Sequence, residues 1–284
     1  MPSAVPVTDV QAVLGEGPRW FGGRLHWVDI VGRRHHALLP STGEVSSESL
    51  PDTVSLVLPR AGGGLVLAVG SAIVLRDDDG SERTLARLSD DPEHRCNDGT
   101  CDPQGRLYVG TMRRDGQGRE GRLCRIDPDG AVTVVADGVG ISNGIAFDAG
   151  RRRMYYVDTV TGSVDVWDLD DDGLPNDRRW FADIDGPAVP DGLVLDAGGA
   201  VWVALHEGGA VARFDDAGNR IDTVPVPAGQ VTAPMFGGDD LTDLYITTAR
   251  EDFDDERAEQ EPLAGRLFVV AGAGRGVPLT PFAG

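Results

Sequence analysis

The chain contains no lysine. All 26 of its basic residues are arginine, against 46 aspartates and glutamates, so its formal net charge is −20. A surface so short of positive charge argues against nucleic acid or an anionic membrane as a partner, because binding either requires a basic face. The acidity itself reads as solubility, and no cation site follows from it. Cysteine is scarce as well. Cys96, Cys101 and Cys124 are odd in number and form no CxxC pair. That argues against a disulfide framework and a thiolate zinc site, and it suits a reducing cytoplasm. No apolar run approaches the ~18 residues of a membrane-spanning helix. The opening residues MPSAVPVTDV lack the basic-then-apolar order of a secretory leader, so a cytoplasmic location is expected. GxSxG, HExxH and phosphate-loop motifs are also missing, which leaves serine hydrolase, zincin and nucleotide-binding readings without local support.

What the chain does have is repetition. A strand-like segment recurs at Arg24 (RLHWVDI), Gly64 (GLVLAVG), Arg106 (RLYVGTM), Arg153 (RMYYVDT), Ala200 (AVWVALH) and Asp243 (DLYITTA), at spacings of 40 to 47 residues. That period is one blade of a β-propeller. The reading is therefore all-β: a six-bladed β-propeller forming one domain over residues 1–284. Turn clusters such as Asp77–Gly80, Asp127–Gly130 and Asp215–Gly218 are expected to join the outer strands of a blade. The segment PVTDVQAVL is expected to supply the outer strand of the last blade and so close the ring. Arg250–Ala264 reads as a surface loop or one helical turn, and Arg113–Glu120 as a polar insertion over one mouth of the channel.

The chemistry is expected just upstream of the repeated strands. Glu16, Asn97, Asn143 and Asp191 lie 8 to 10 residues before the repeat starts of four different blades, each followed by glycine at once or one residue later. This places them at the start of the innermost strands, beside the axis, where glycine permits close backbone approach. Any one of them alone reads equally well as a turn residue capping its strand. Four at equivalent positions form a hard oxygen set, suited to a divalent cation of the calcium, magnesium or manganese kind. Two carboxylates buried there without a cation would force one to keep its proton.

The strings LGEGPRW, RCNDGTCDPQGRLYVGTM, SNGIAFD, MYYVDTVTGSVDVWDLD, PDGLVLDAGGAVWVA and TTAR…AGRLF resemble, in order and from Glu16 to Phe268, the SMP-30/gluconolactonase/luciferin-regenerating-enzyme (regucalcin-like) family. The resemblance implies a six-bladed propeller with one divalent metal in its channel. It also implies hydrolysis of a sugar lactone, a small-molecule substrate. Its metal ligands would be Glu16, Asn143 and Asp191. Calcium is the ion expected first, with zinc, manganese, magnesium and iron as alternatives. Asp191 would be the general base, in tension with its role as ligand. Arg95 and Asn97 would bind substrate, with Asp115 and His206 as further candidates. Cys96, Arg113-Arg114-Asp115 and His206-Glu207 depart from the family pattern and bear on substrate identity. The alternatives are a non-catalytic calcium-binding propeller, or a lactonase, esterase or phosphotriesterase of other specificity.

Other features carry less. Asp168–Gly173 imitates half an EF-hand loop, but its twelfth position is Arg179, so a hairpin turn is expected. His35 and His36 are adjacent and should face opposite sides of a strand. His94 is expected at the surface. Trp20, Trp27, Trp167 and Trp202 are expected to pack between blades.

Overall fold

A computed structural model describes residues 3–284. Among the described residues six four-stranded antiparallel sheets follow one another along the chain. The six repeated segments all form the second strand of a blade: Arg24–Asp29, Leu65–Val69, Leu107–Arg113, Arg153–Asp158, Val201–His206 and Asp243–Thr248. The first strands (Gly15–Phe21, Val54–Pro59, His94–Cys101, Ser142–Asp148, Val189–Leu195 and Val231–Gly237) each contact the next around the axis. The protein is a six-bladed β-propeller.

Burial falls from the axis outward. The second strand Arg153–Asp158 is buried at five of six positions, whereas the fourth strand of the first blade, Glu44–Ser49, is exposed except at Val45. Polar outer strands blunt edges that would otherwise template aggregation. The core lies between blades. Tyr155, Val166 and Phe181 of the fourth blade meet Leu195, Val203 and Phe214 of the fifth. Trp202 of the fifth meets Phe236 of the sixth edge-on at 5.6 Å, and Trp20 of the first stacks on Tyr245 of the sixth at 6.0 Å. A lone blade would expose both faces, so the ring must close.

Closure comes from both chain ends. Val5–Pro6 pairs with Phe268–Val270 as the outermost strand of the sixth blade, and the Val7 and Ala12 amides donate to the Leu267 and Gly265 carbonyls. The C-terminal tail then crosses the far end of the channel. The Ala197 amide donates to Arg275, and the Phe282 amide donates to Pro59. Phe282 itself is fully buried among Leu58, Leu107 and Ile126.

The turns behave as expected. The Asp170 amide donates to the Leu174 carbonyl across the EF-hand-like segment, Gly173 takes a left-handed φ of 72°, and Asp168 pairs with Arg179, the residue at the would-be ligand position. His35 bonds His26 while His36 stacks on Trp27, on opposite sides of the strand. His94 departs from expectation: its side chain is largely covered, beside Asp91. Arg250–Ala264 carries one short helix, Asp255–Gln260, capped by Asp254. No described helix is long and apolar enough to cross a membrane.

Candidate functional site

Every innermost strand breaks register with its neighbour at the same depth. The shifts fall after Glu16, Val54, Cys96, Ser142, Pro190 and Val231. A bulge leaves residues unpaired and re-aims side chains. At or beside the six shifts stand Glu16, Ser55, Asn97, Asn143, Asp191 and Thr232, all buried. The four expected hub residues thus occupy structurally equivalent places. Glycine is required here by contact: a Cβ on Gly144 would lie 2.7 Å from the Leu193 amide nitrogen and 2.8 Å from the Asp191 carbonyl oxygen, on the next blade.

The hub is electrostatically unfinished. Burial pushes the Glu16 carboxyl up to about 8, and the charge of Asp98 adds to the shift; the Gly17 amide, Arg19 and Arg95 only partly oppose it. Burial also drives the Asp191 carboxyl well above its ordinary range, reinforced by Glu16 and Asp98. The Glu16 and Asp191 side chains adjoin, and buried Asp191 Oδ1 receives no hydrogen bond. Two carboxylates held this way must keep a proton or take a cation. Below them, Arg19 donates to Asp98 Oδ1 (3.0 Å) and to the Gly99 carbonyl (2.7 Å), a buried ion pair across the axis.

A second network adjoins the carboxyls. Arg95 Nη1 donates to Asn97 Oδ1 and to the Cys96 carbonyl. Asn97 Nδ2 donates to the Ser142 carbonyl (2.8 Å) and to Asn143 Oδ1 (3.2 Å), and Asn143 Nδ2 donates to Thr159 (2.9 Å). Both ends of the Asn97 amide are thereby committed to protein, so Asn97 links Arg95 to Asn143. The hydrogen bond from Asn97 to Asn143 fixes which end of the Asn143 amide is oxygen, leaving that oxygen beside the hub.

Two expected substrate residues lie outside this cluster. Asp115 is exposed, with both carboxylate oxygens bonded to Arg113 and Oδ1 also accepting from the Gln117 amide; these hold its carboxyl down at about 2. Its segment is tethered, with Arg119 paired to Asp158. His206 is half-buried at the same mouth, opposite Val189 in register, and burial lowers its pKa.

Several hub residues escaped sequence reasoning. Arg19 and Asp98 sit inside motifs already singled out, yet nothing local shows that they pair across 79 positions. Ser55 lies nine residues before Gly64, at the diagnostic spacing, but no glycine follows it to mark the place. Thr232 is masked by a longer spacing to Asp243. Among the described residues no three His, Cys, Asp or Glu side chains gather for a metal. The set here is instead two carboxylates and a carboxamide, all oxygen donors, with an orphaned oxygen on Asp191. That chemistry fits a hard divalent cation. A separate cavity of about 340 Å³ lies at the other end of the channel, lined largely by apolar residues such as Ile145, Leu193, Met235 and Leu279, with Arg19 reaching it.

Residues 14–250 match the SMP-30/Gluconolactonase/LRE-like region. A pentonolactonase of Haloferax volcanii is 38% identical, covering 96% of this chain and 95% of its own. A regucalcin of Xenopus laevis is 36% identical, covering 95% of each. Among solved structures, a regucalcin from Agrobacterium tumefaciens, described as a calcium-binding protein, superposes with a TM-score of 0.94 at 32% identity, covering 99% of this chain and 97% of that one.

Proposed function

The chain belongs to the SMP-30/gluconolactonase/LRE-like family, and from that premise we propose that it is a metal-dependent sugar lactonase, a hydrolase that opens an aldonolactone of the gluconolactone kind to the free sugar acid. One observation carries the reading: Glu16 and Asp191 are buried together, among the described residues no cationic side chain bonds either carboxyl, and Asn143 stands on the strand packed against that of Asp191. A scaffold needs no such group at its axis.

Glu16, Asn143 and Asp191 would hold the divalent ion, calcium first, which when bound supplies Lewis-acid polarisation of an ester carbonyl. The chain's own residues do the rest. Water adds to the lactone carbonyl carbon, and Asp191 accepts its proton. The ring C–O bond then breaks. The departing ring oxygen takes the proton held by Asp191 and becomes a hydroxyl, leaving the acid and the free carboxylate. A carboxylate has two oxygens, so Asp191 can contact the ion through one while the other takes the proton. Arg95, whose Nη1 is occupied by Cys96 and Asn97, offers its remaining N–H groups to substrate oxygens. Asn97 orients Arg95 and Asn143.

The test is proton release from glucono-1,5-lactone and pentonolactones at mildly acidic pH, where spontaneous opening is slow. Catalysed release that a chelator abolishes and a divalent ion restores is the expected result. No release across the panel, with calcium still bound, would leave a calcium-binding propeller instead.

A further inference from the structure

The acidic stretch after the sixth repeated strand is locked against the hub mouth. The Gln230 side chain, nearly fully buried, clamps residue 251 from both sides: the Glu251 amide donates to Gln230 Oε1 (2.9 Å), and Gln230 Nε2 donates to the Glu251 carbonyl (3.1 Å). Gln230 Nε2 also donates to Glu207 Oε1 (3.0 Å). Arg257, on the short helix, grips both oxygens of Glu207 and reaches Glu261, which in turn accepts from the Gly229 amide. On the other flank the Arg250 amide donates to the Val13 carbonyl (2.9 Å).

This scaffold holds the backbone of Glu251 and leaves its side chain free. Among the described residues no donor bonds the Glu251 carboxylate, which is half-buried. Its charge interacts with the Arg95 guanidinium, yet no ion pair within 4 Å joins them. Glu251 belongs to the sixth blade and Arg95 to the first strand of the third, across the ring from it, so an acceptor and a donor stand on opposite sides of the mouth with no hydrogen bond between them. Asp29 and Asp252 add negative charge on the Glu251 side, and Arg114 adds positive charge near Arg95.

A sugar hydroxyl both donates and accepts, so a polyhydroxylated ring can satisfy a carboxylate and a guanidinium together. We propose that Glu251 is a specificity residue of the hub mouth. Its carboxylate accepts hydrogen bonds from the hydroxyls of a neutral polyhydroxylated lactone whose other oxygens meet Arg95, and its charge turns away lactones bearing an anionic group. The inference rests on the lactonase reading.

The experiment compares kcat/KM for glucono-1,5-lactone and its 6-phosphate in the metal-loaded full-length protein. Glu251→Gln keeps the shape and the backbone clamp and removes the charge. It is expected to shift the ratio toward the phosphorylated lactone by about tenfold. It is also expected to raise KM for the neutral lactone severalfold with kcat little changed, as lost uniform binding does. Glu251→Asp should restore part of the neutral preference. Asp252→Asn makes the same charge change one residue away on an exposed side chain, and should leave the ratio within about twofold because exposed charge is screened. An unmoved ratio in Glu251→Gln, or an equal shift in Asp252→Asn, overturns the role of Glu251 while wild-type turnover keeps the lactonase reading. A wild type that opens neither these two lactones nor any pentonolactone overturns both readings, and one that opens only pentonolactones overturns the role of Glu251 alone.

Discussion

The two ends of the channel differ in kind. One end gathers buried carboxyls, carboxamides and guanidiniums from separate blades. The other holds the cavity of about 340 Å³, largely apolar and roofed by Val277–Thr280 of the C-terminal tail. The Arg19–Asp98 pair stands between them. The cavity belongs to the apolar end. The proposed chemistry belongs to the polar end, because reactivity follows uncompensated buried charge more closely than empty space. The apolar end closes and stabilises the ring. At the polar end the buried Glu16 and Asp191 carboxyls crowd together, which disfavours their charged forms.

The largest expected effect that would sharpen this contrast is chemical. Asp191→Asn should lower metal-dependent lactone turnover by about 10³-fold, within the range for loss of a general base; steady-state kinetics with saturating ion would check it. Retained turnover would remove Asp191 as base. At the apolar end, Phe282→Ala should cost about 3–5 kcal/mol of stability, as for other buried aromatics, measured by urea unfolding. Turnover by the folded protein should remain near wild type; a large loss would mean that the two ends are coupled.

A smaller effect separates the ends by pH. The folded pKa of Glu16, about 8, is raised above its unfolded value, so the stability it contributes is complete below about pH 4.5 and is lost as pH climbs through 8. His26, His35, His36 and His206 are all pushed down by burial and act in the opposite sense, adding stability as the unfolded imidazoles lose their protons around pH 6.5. Above about pH 7.5 that gain is nearly complete, so chelated protein should lose about 1 kcal/mol between pH 7.5 and 8.5 as the raised carboxyl gives up its proton. A divalent ion should flatten that slope, and Phe282→Ala should leave it intact. Thermal melts across the window test all three.

Much of the fold was legible because blades repeat. The spacing of RLHWVDI-like segments located every second strand, and the acidic turns located the outer hairpins. Closure by the N-terminal segment was also legible, though its strand is only Val5–Pro6. Glu16, Asn97, Asn143 and Asp191 could be placed at equivalent depths because spacing to the next strand fixes depth. Spacing does not fix direction or partner. Asp115 turned outward to Arg113, while Glu251, in what read as a featureless acidic loop, was set at the mouth by Gln230.

The amino-acid sequence by itself determined the number of blades, the strands within them and the level of the hub. Those are properties of local pattern, repeated with a constant period. Only the tertiary structure decided that Arg19 meets Asp98, that Ser55 and Thr232 complete the ring, and that Asn97 is spent on its neighbours. Such contacts join residues from different blades. Their geometry exists only after the ring closes and the bulges have turned each side chain toward the axis.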